Sequence, residues 1–426
     1  MADAAGQEAV RDGVLSLRRR VGGNFFWSLV SEALTKGIFF FTTIYLARRL
    51  GVANFGLFAV AQTITYYFWL GVDLGVNMYG IREIAKNKDA PQQIAGPLLG
   101  LRVTMGVVIY AILASFVYFS GFAHDKKLVV LGCGLYLVTY SPYMDWVCKG
   151  LEKFRYIAAG SFISSSLFLT GTLLFVKSDA DATTAALVWS SSYAFGSASL
   201  YFMLRRHGVR IFPVFGLGNW ISHIRESYVL TVAAGLMILY QYMPILLLGA
   251  FFTTYEVGLF AAPYRIIVML CSAGVLIPMS FYPVFSETYV KDRARFISLY
   301  RKFQKGMVAA GLSAGVIGFL FSGVIVRLLL GPKYEGSVPI FRVLAWMVSF
   351  FFIKSTYGSI LTATGYQRWY PIAGAIALVS GFCFCYVLMR YDPTTGVAMG
   401  IVAGEAVVVV TMMVISKFTF LKGAPA

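Results

Sequence analysis

The apolar residues of this chain run on in long stretches, with neither the strict alternation of a strand nor the striped face of a soluble helix. A membrane-crossing helix needs roughly 20 predominantly apolar residues. Stretches of that kind start near Asn24, Gly56, Gly96, Leu128, Arg155, Ala185, Tyr228, Gly258, Met307, Val338, Trp369 and Gly396. The pattern therefore predicts about twelve transmembrane helices joined by short polar connections, with no room for a soluble domain. Polar positions inside these stretches stand out. Asn24, Ser28, Glu32 and Lys36 recur every four residues in the first span and so share one helix face. Glu32 and Lys36 have the i,i+4 spacing of an ion pair.

Composition points the same way. Of the 426 residues, 58% are hydrophobic and only 13% charged, about half the charged share of a soluble domain. A formal charge of +17 suits an acidic partner, but in a membrane chain it reports loop bases that set orientation, so no nucleic acid is expected. With a cytoplasmic N-terminus, 23 Lys and Arg fall on the cytoplasmic side and eight on the other. Both termini are therefore expected inside. Arg18, Arg19 and Arg20 precede the first apolar stretch, yet no small-residue cleavage site follows promptly, so that stretch reads as a retained helix. The basic segment around Phe296, Tyr300 and Phe303 has the spacing of a helix lying on the inner leaflet, with a solvated basic loop as the alternative. The five cysteines read as small buried hydrophobes rather than a disulfide or metal set.

Two sequence pairs reveal a duplication. Gly56-Leu57-Phe58-Ala59 returns as Gly258-Leu259-Phe260-Ala261. Gly150, Lys153, Phe154, Ile157 and Ala158 return at the same spacing as Gly365, Arg368, Trp369, Ile372 and Ala373. Both pairs are six spans apart, so the halves share one orientation and are related by an axis along the membrane normal. Such repeats place a substrate cavity between the halves. The expected divisions are an N-terminus at 1–23, an N-lobe at 24–204, a connection at 205–227, a C-lobe at 228–418 and a tail at 419–426.

The same residues carry a family resemblance. Ala47-Arg48-Arg49-Leu50-Gly51 with Phe55-Gly56-Leu57-Phe58, then Asp73-Leu74-Gly75 before Arg82-Glu83-Ile84-Ala85, resemble the start of Wzx-type polysaccharide flippases. Asp145-Trp146 with Gly150-Leu151-Glu152-Lys153-Phe154, Val257 to Ile266, Tyr282-Pro283-Val284-Phe285-Ser286 and Leu330-Gly331-Pro332-Lys333-Tyr334 follow in order. One departure is Lys149, where the family usually carries glutamine. The resemblance implies the MOP (MATE-like) exporter superfamily: an all-α fold of twelve helices in two six-helix lobes around a central cavity. It further implies O-antigen-type export, the translocation of polyprenyl-diphosphate-linked oligosaccharide units from the inner to the outer leaflet of the bacterial inner membrane. The partners expected are the lipid-linked oligosaccharide, membrane lipids, and the polymerase and chain-length machinery.

Charges within spans are costly, so they mark a cavity or a partner. Guanidinium and ammonium groups suit a diphosphate, and Lys36, Arg49, Arg265, Arg342 and Lys354 are the candidate substrate contacts; for Arg102 and Arg342 a snorkelling place at a helix end is an equal alternative. Glu32, Asp73, Asp145 and Glu405 are the candidates for coupling to H+ or Na+; for Asp73 and Asp145 a cap or a gate pair with Arg82 or Lys153 competes with that role. Tyr240-Gln241-Tyr242 and Tyr66-Tyr67-Phe68-Trp69 are able to stack on sugars, though interfacial belts account for most such residues. No cofactor or metal is expected. An enzyme is disfavoured, because the three histidines (His124, His207 and His223) are assigned to loops and no catalytic spacing occurs; no G-x-x-x-x-G-K-[ST] phosphate loop exists for a primary pump. The rival is a MATE-type multidrug exporter, whose cationic substrates call for an acidic cavity. A peptidoglycan-precursor flippase would carry further helices.

Overall fold

The computed structural model describes residues 2–421, and every regular element among them is helical. The side chains of the first 22 residues, and those of Asn24 and Ser28, lie outside the description, and with them Arg18–Arg20 and half of the predicted polar stripe. The first two expected spans form one bent helix, α1 (Ala2–Asp73), rather than two helices around a loop. The bend is at Gly51, whose φ of 68° and ψ of 179° are open to glycine and strained for any residue with a Cβ. Helix α2 (Val76–Lys86) turns off at Gly75, and α3 (Pro91–Phe119) follows. The fourth expected span is broken into α4 (His124–Gly134), α5 (Tyr136–Thr139) and α6 (Asp145–Gly150). Pro142 lies in the last break, where a missing N–H stops a helix. Helices α7 (Phe154–Phe175) and α8 (Ala182–Arg206) close the first half.

The second half comprises α9 (Leu217–Phe251), α10 (Thr254–Lys291), α11 (Arg293–Leu320), α12 (Ser322–Leu329), α13 (Val338–Ala363), α14 (Trp369–Leu388) and α15 (Pro393–Phe418). Among the described residues eight helices have the length and apolarity to cross a bilayer, and the apolar part of α1, 44 residues from Val30 to Asp73, exceeds a single crossing about twofold. The broken α4–α6 segment, the serine-bearing α8 and the shorter apolar part of α9 fall outside that measure. Large apolar side chains such as Phe116, Phe119, Phe175, Leu320 and Leu328 face outward. Only lipid solvates a surface of this kind, so the chain is a multi-pass membrane protein.

Helix α1 packs on α4 and α7, and α8 packs on α4 and α7. In the second half α13 packs on α10, α11 and α15, and α14 on α15. The two groups meet chiefly along α1 and α10. There the duplicated motif touches its own copy. A methyl on Gly56 would overlap the Thr254 carbonyl and lie 2.6 Å from the nitrogen of Gly258; a methyl on Gly258 would overlap the Val52 carbonyl and lie 2.7 Å from its carbon. Val52 and Thr254 each precede their glycine by four residues, so the contact is reciprocal, as across a two-fold axis. Close helix crossing in a membrane depends on such small residues.

Three sequence expectations change. Phe296 and Tyr300 do not lie on a leaflet. They are buried on α11 against Phe285 and Phe420, which makes this segment the root of a spanning helix. Cys383 is exposed, whereas the other four cysteines are buried thiols. His223 sits within α9 and His124 opens α4, so neither is a loop residue.

Candidate functional site

The polar face of α1 becomes the floor of two adjoining cavities. One, of about 310 Å³, is lined by Ser31, Glu32, Thr35 and Lys36 of α1 with Lys149 and Ser161 opposite. The other, of about 180 Å³, lies between the halves and is lined by Lys36, Gln62, Thr63, Tyr66, Tyr242 and Arg265 among others. Lys36 borders both. Its Nζ is 2.5 Å from Glu32 Oε1, and both side chains remain partly exposed, so the predicted i,i+4 pair forms without sealing either group away. Arg265 donates from Nη2 to Gln62 Oε1 at 2.6 Å, and its guanidinium lies 5.1 Å from the Phe55 ring centre and 5.9 Å from that of Phe58. Phe55, Phe58 and Gln62 follow helical spacing on α1, so one face of that helix orients the guanidinium. Three bases (Lys36, Lys149 and Arg265) and one acid (Glu32) line these cavities; Glu32 pairs with Lys36 and Asp145, behind the lining, with Lys149, so the net positive charge of the space is that of Arg265.

The structure gathers some sequence candidates and disperses others. Lys36 and Arg265 share a cavity. Arg49 is exposed near the bend of α1, 5.4 Å from the Tyr45 ring. Arg342, near the start of α13, donates from Nε to Ser322 Oγ at 2.9 Å. Lys354 lies 2.6 Å from Glu405, which is fully buried. The acids also find partners other than those expected. Asp73 stands 3.8 Å from the fully buried Arg102, not beside Arg82, which pairs with Glu83. Asp145 is 2.6 Å from Lys149 rather than bound to Lys153. Arg102 therefore does not snorkel. It donates to the Tyr143 carbonyl and stacks on Trp69.

Sequence reasoning singled out Tyr66, Trp69 and Tyr242 but missed Gln62, the cavity position of Lys149, and the rest of the aromatic wall. Tyr66 stacks on Tyr242 at 4.6 Å, and Trp69, Tyr136, Tyr140, Trp189 and Tyr193 continue the packing inside the first half. These rings are internal and do not form an interfacial belt. Gln62 was findable from its spacing to Phe55 and Phe58; Tyr136, Tyr140, Trp189 and Tyr193 were not, since they join Tyr66 and Trp69 from separate helices.

One end of the space is shut. Beyond the Gly56/Gly258 crossing, Ser337 Oγ donates to the Leu259 carbonyl at 2.7 Å, and Tyr334 Oη to that of Gly51 at 3.4 Å. Arg48 donates to the Leu328 and Leu329 carbonyls, capping the C-terminus of α12. Toward the opposite end, α2 meets α9. Tyr79 donates to Glu226 at 2.9 Å and lies 3.3 Å from His223 Nδ1. Burial, then the Glu226 bond, pushes the Tyr79 hydroxyl up to about 12, and burial holds the His223 imidazole below its usual value.

Comparison with known proteins agrees with this architecture. The family described as polysaccharide biosynthesis protein matches residues 21–289. A protein of Escherichia coli strain K12 named as an O-antigen transporter is 22% identical over 412 residues, covering 94% of this chain and 96% of its own length. Among solved structures, an inward-facing MATE-family multidrug transporter of the MOP superfamily superposes with a TM-score of 0.73 at 13% identity, covering 94% of this chain and all of that one. The lipid II flippase MurJ superposes with a TM-score of 0.70 at 14% identity, covering 93% of this chain and 89% of that one. The fold is that of MOP-superfamily transporters, and these relatives are transporters and flippases rather than enzymes.

Proposed function

Because the chain belongs to the polysaccharide biosynthesis protein family, we propose that it is a flippase for polyprenyl-diphosphate-linked oligosaccharide units in surface polysaccharide assembly. The observation that carries this reading is the positive space between the halves. Lys36, Lys149 and Arg265 face it; with Lys36 paired to Glu32 and Lys149 to Asp145, the excess positive charge is that of Arg265. A diphosphate is a compact anion recognised by ammonium and guanidinium groups. An exporter of organic cations needs the opposite sign. The Tyr66–Tyr242 stack beside Arg265 offers ring faces to sugars.

In this mechanism the N-lobe (24–204) and C-lobe (228–418) rock about the α1–α10 contact. The headgroup sits on Arg265 and Lys36 while the polyprenyl tail stays in lipid. The joined cavities, near the lower end of ligand-site volumes, hold the diphosphate and its first sugars. The closed Gly56/Gly258 end faces out, which agrees with the excess of basic loop residues expected inside. Of the candidate contacts, Arg49, Arg342 and Lys354 have no place in these cavities, so the first two act on the fold and the third elsewhere. An ion gradient resets the carrier. The chain sits in the inner membrane with both termini in the cytoplasm and hands its cargo to polymerase and chain-length proteins.

Deleting the gene and extracting cell lipids tests the reading. The expected result is accumulation of single repeat units on polyprenyl diphosphate facing inward, with loss of surface glycan. Unchanged glycan together with rising sensitivity to cationic drugs would replace it with a multidrug exporter.

A further inference from the structure

The larger cavity is built from one half of the molecule. Ser31, Glu32, Thr35 and Lys36 of α1 face Lys149 of α6 and Phe154 of α7 across a space of about 310 Å³. The smaller cavity, by contrast, takes Tyr242 and Arg265 from the second half. Lys36 borders both. A molecule whose anionic end rests on Arg265 therefore reaches the larger cavity with the group next to that end.

The charges around the larger cavity cancel. Lys36 Nζ lies 2.5 Å from Glu32 Oε1, and Lys149 Nζ lies 2.6 Å from Asp145 Oδ2. Behind them Asp73 offsets Arg102. Lys149 stands where the family usually carries glutamine, and its charge is what offsets Asp145. The result is a wall that is polar yet neutral. Glu32, Lys36 and Lys149 all keep part of their side chains exposed, so carboxylate oxygens and ammonium protons of both pairs are open to a ligand. Thr35 Oγ1 lines the same space, buried and with no hydrogen-bond partner among the described residues. A buried hydroxyl in that condition costs free energy until a partner arrives. Carboxylates accept from sugar hydroxyls, and ammonium and hydroxyl groups donate to them. Phe154 adds an apolar ring to the wall.

Resting on the flippase reading above, we infer that this cavity seats the sugar bonded to the diphosphate, and that it selects a sugar without an acid group. The reason is charge. A diphosphate is doubly anionic and already outweighs Arg265, which is held by Gln62 rather than by an acid. A carboxylate on the adjoining sugar would meet ammonium groups already engaged by Glu32 and Asp145. It would lose hydration and gain no counter-charge, which discriminates against it. Uncharged hydroxyls lose less and find both acceptors and donors. Because α1, α6 and α7 all belong to the first half, the seat travels as one piece when the halves rock.

Equilibrium binding to the purified chain tests this without transport. The probes are soluble short-chain prenyl diphosphates carrying either glucose or glucuronic acid, sugars of similar size that differ in charge. The glucose probe should bind about tenfold tighter or more. Glu32→Gln frees the Lys36 ammonium, and Asp145→Asn frees that of Lys149. Each should cut the ratio by about tenfold, through gained affinity for the acid. Reading a ratio cancels any change in diphosphate affinity common to both probes. Glu335→Gln removes the same charge from the exposed pair with Arg327, outside the cavity, and should leave the ratio alone. Equal or tighter binding of the acid by the wild type would overturn the inference. So would a ratio unmoved in variants that unfold at the wild-type temperature, or one moved as far by Glu335→Gln. Flipping in vesicles keeps the two readings apart. Lipid movement with an unmoved ratio sinks the sugar seat alone; the expected ratios without lipid movement leave the seat standing and sink the flippase reading.

Discussion

The reciprocal glycine crossing makes a quantitative prediction for Gly56→Ala. The added methyl would meet the Thr254 carbonyl and lie 2.6 Å from the Gly258 nitrogen, where carbon prefers roughly 3.5–4.0 Å to its neighbours. Both obstacles are backbone atoms, so no side chain is able to swing aside. Helices α1 and α10 must separate by about 1 Å. Overpacking of this kind costs on the order of 1–3 kcal/mol. The cost falls only on the state in which the crossing is closed, so the population moves toward the state in which it is open by about 5–150-fold. Gly258→Ala should act equally, because its methyl overlaps the Val52 carbonyl and lies 2.7 Å from its carbon. Spin labels on Asn54 and Glu256, at the lips of the crossing, would report the change as a longer distance component in both variants. A distance distribution unchanged from wild type, with unchanged thermal stability, would refute the claim that this contact closes one end of the carrier.

Three further outcomes follow from the charges. Arg265→Glu puts a carboxylate where the diphosphate is proposed to sit; initial transport rates should fall about 30-fold or more, a loss of at least 2 kcal/mol, with Arg265→Lys intermediate, as read by flipping assays at fixed expression. Asp73→Asn strands the buried Arg102 guanidinium and should destabilise the fold by about 3–5 kcal/mol, whereas adding Arg102→Leu should recover most of the loss in thermal unfolding. Burial lowers the His223 imidazole from its ordinary value of 6.5, with Glu226 opposing part of the shift. Stability at the α2–α9 contact is present above about 6.5 and lost as pH falls below it, because the opened state binds the extra proton; protection of the Val76–Lys86 amides, measured against the intrinsic exchange rate at each pH, should fall between pH 7.5 and 5.5, and His223→Gln should abolish that change.

What the sequence disclosed and what it hid divide along physical lines. Apolar run length is a local property, so the all-helical, membrane-crossing character and the Glu32–Lys36 pair were readable residue by residue, whereas the exact division into spans was not. The bend at Gly51 was not, since a glycine in a polar connection looks the same whether the helix bends through it or stops. Partner choice for buried charges was hidden for a different reason: Asp73 is nearer in sequence to Arg82 than to Arg102, yet burial on α3 brings Arg102 to it. The repeat was informative twice over. Where the halves agree, as at Gly56 and Gly258, the residue serves the fold. Where they differ, the chemistry sits: Arg265 occupies the position that Thr63 holds in the first copy, seven residues after the shared glycine, and both face one cavity. That comparison needs only the sequence, and it singles out Arg265 above Arg49 and Arg342.

The central claim is that this chain moves an anionic lipid-linked glycan across a bilayer. The most direct measurement is reconstitution of the purified protein into vesicles carrying polyprenyl-diphosphate-linked oligosaccharide, with a membrane-impermeant glycosidase or lectin added outside. The account predicts that sugar initially confined to the inner leaflet becomes accessible in vesicles containing the protein, not in empty ones, and at a strongly reduced rate with Arg265→Glu. Sugar that stays protected while the same vesicles take up organic cations would contradict it.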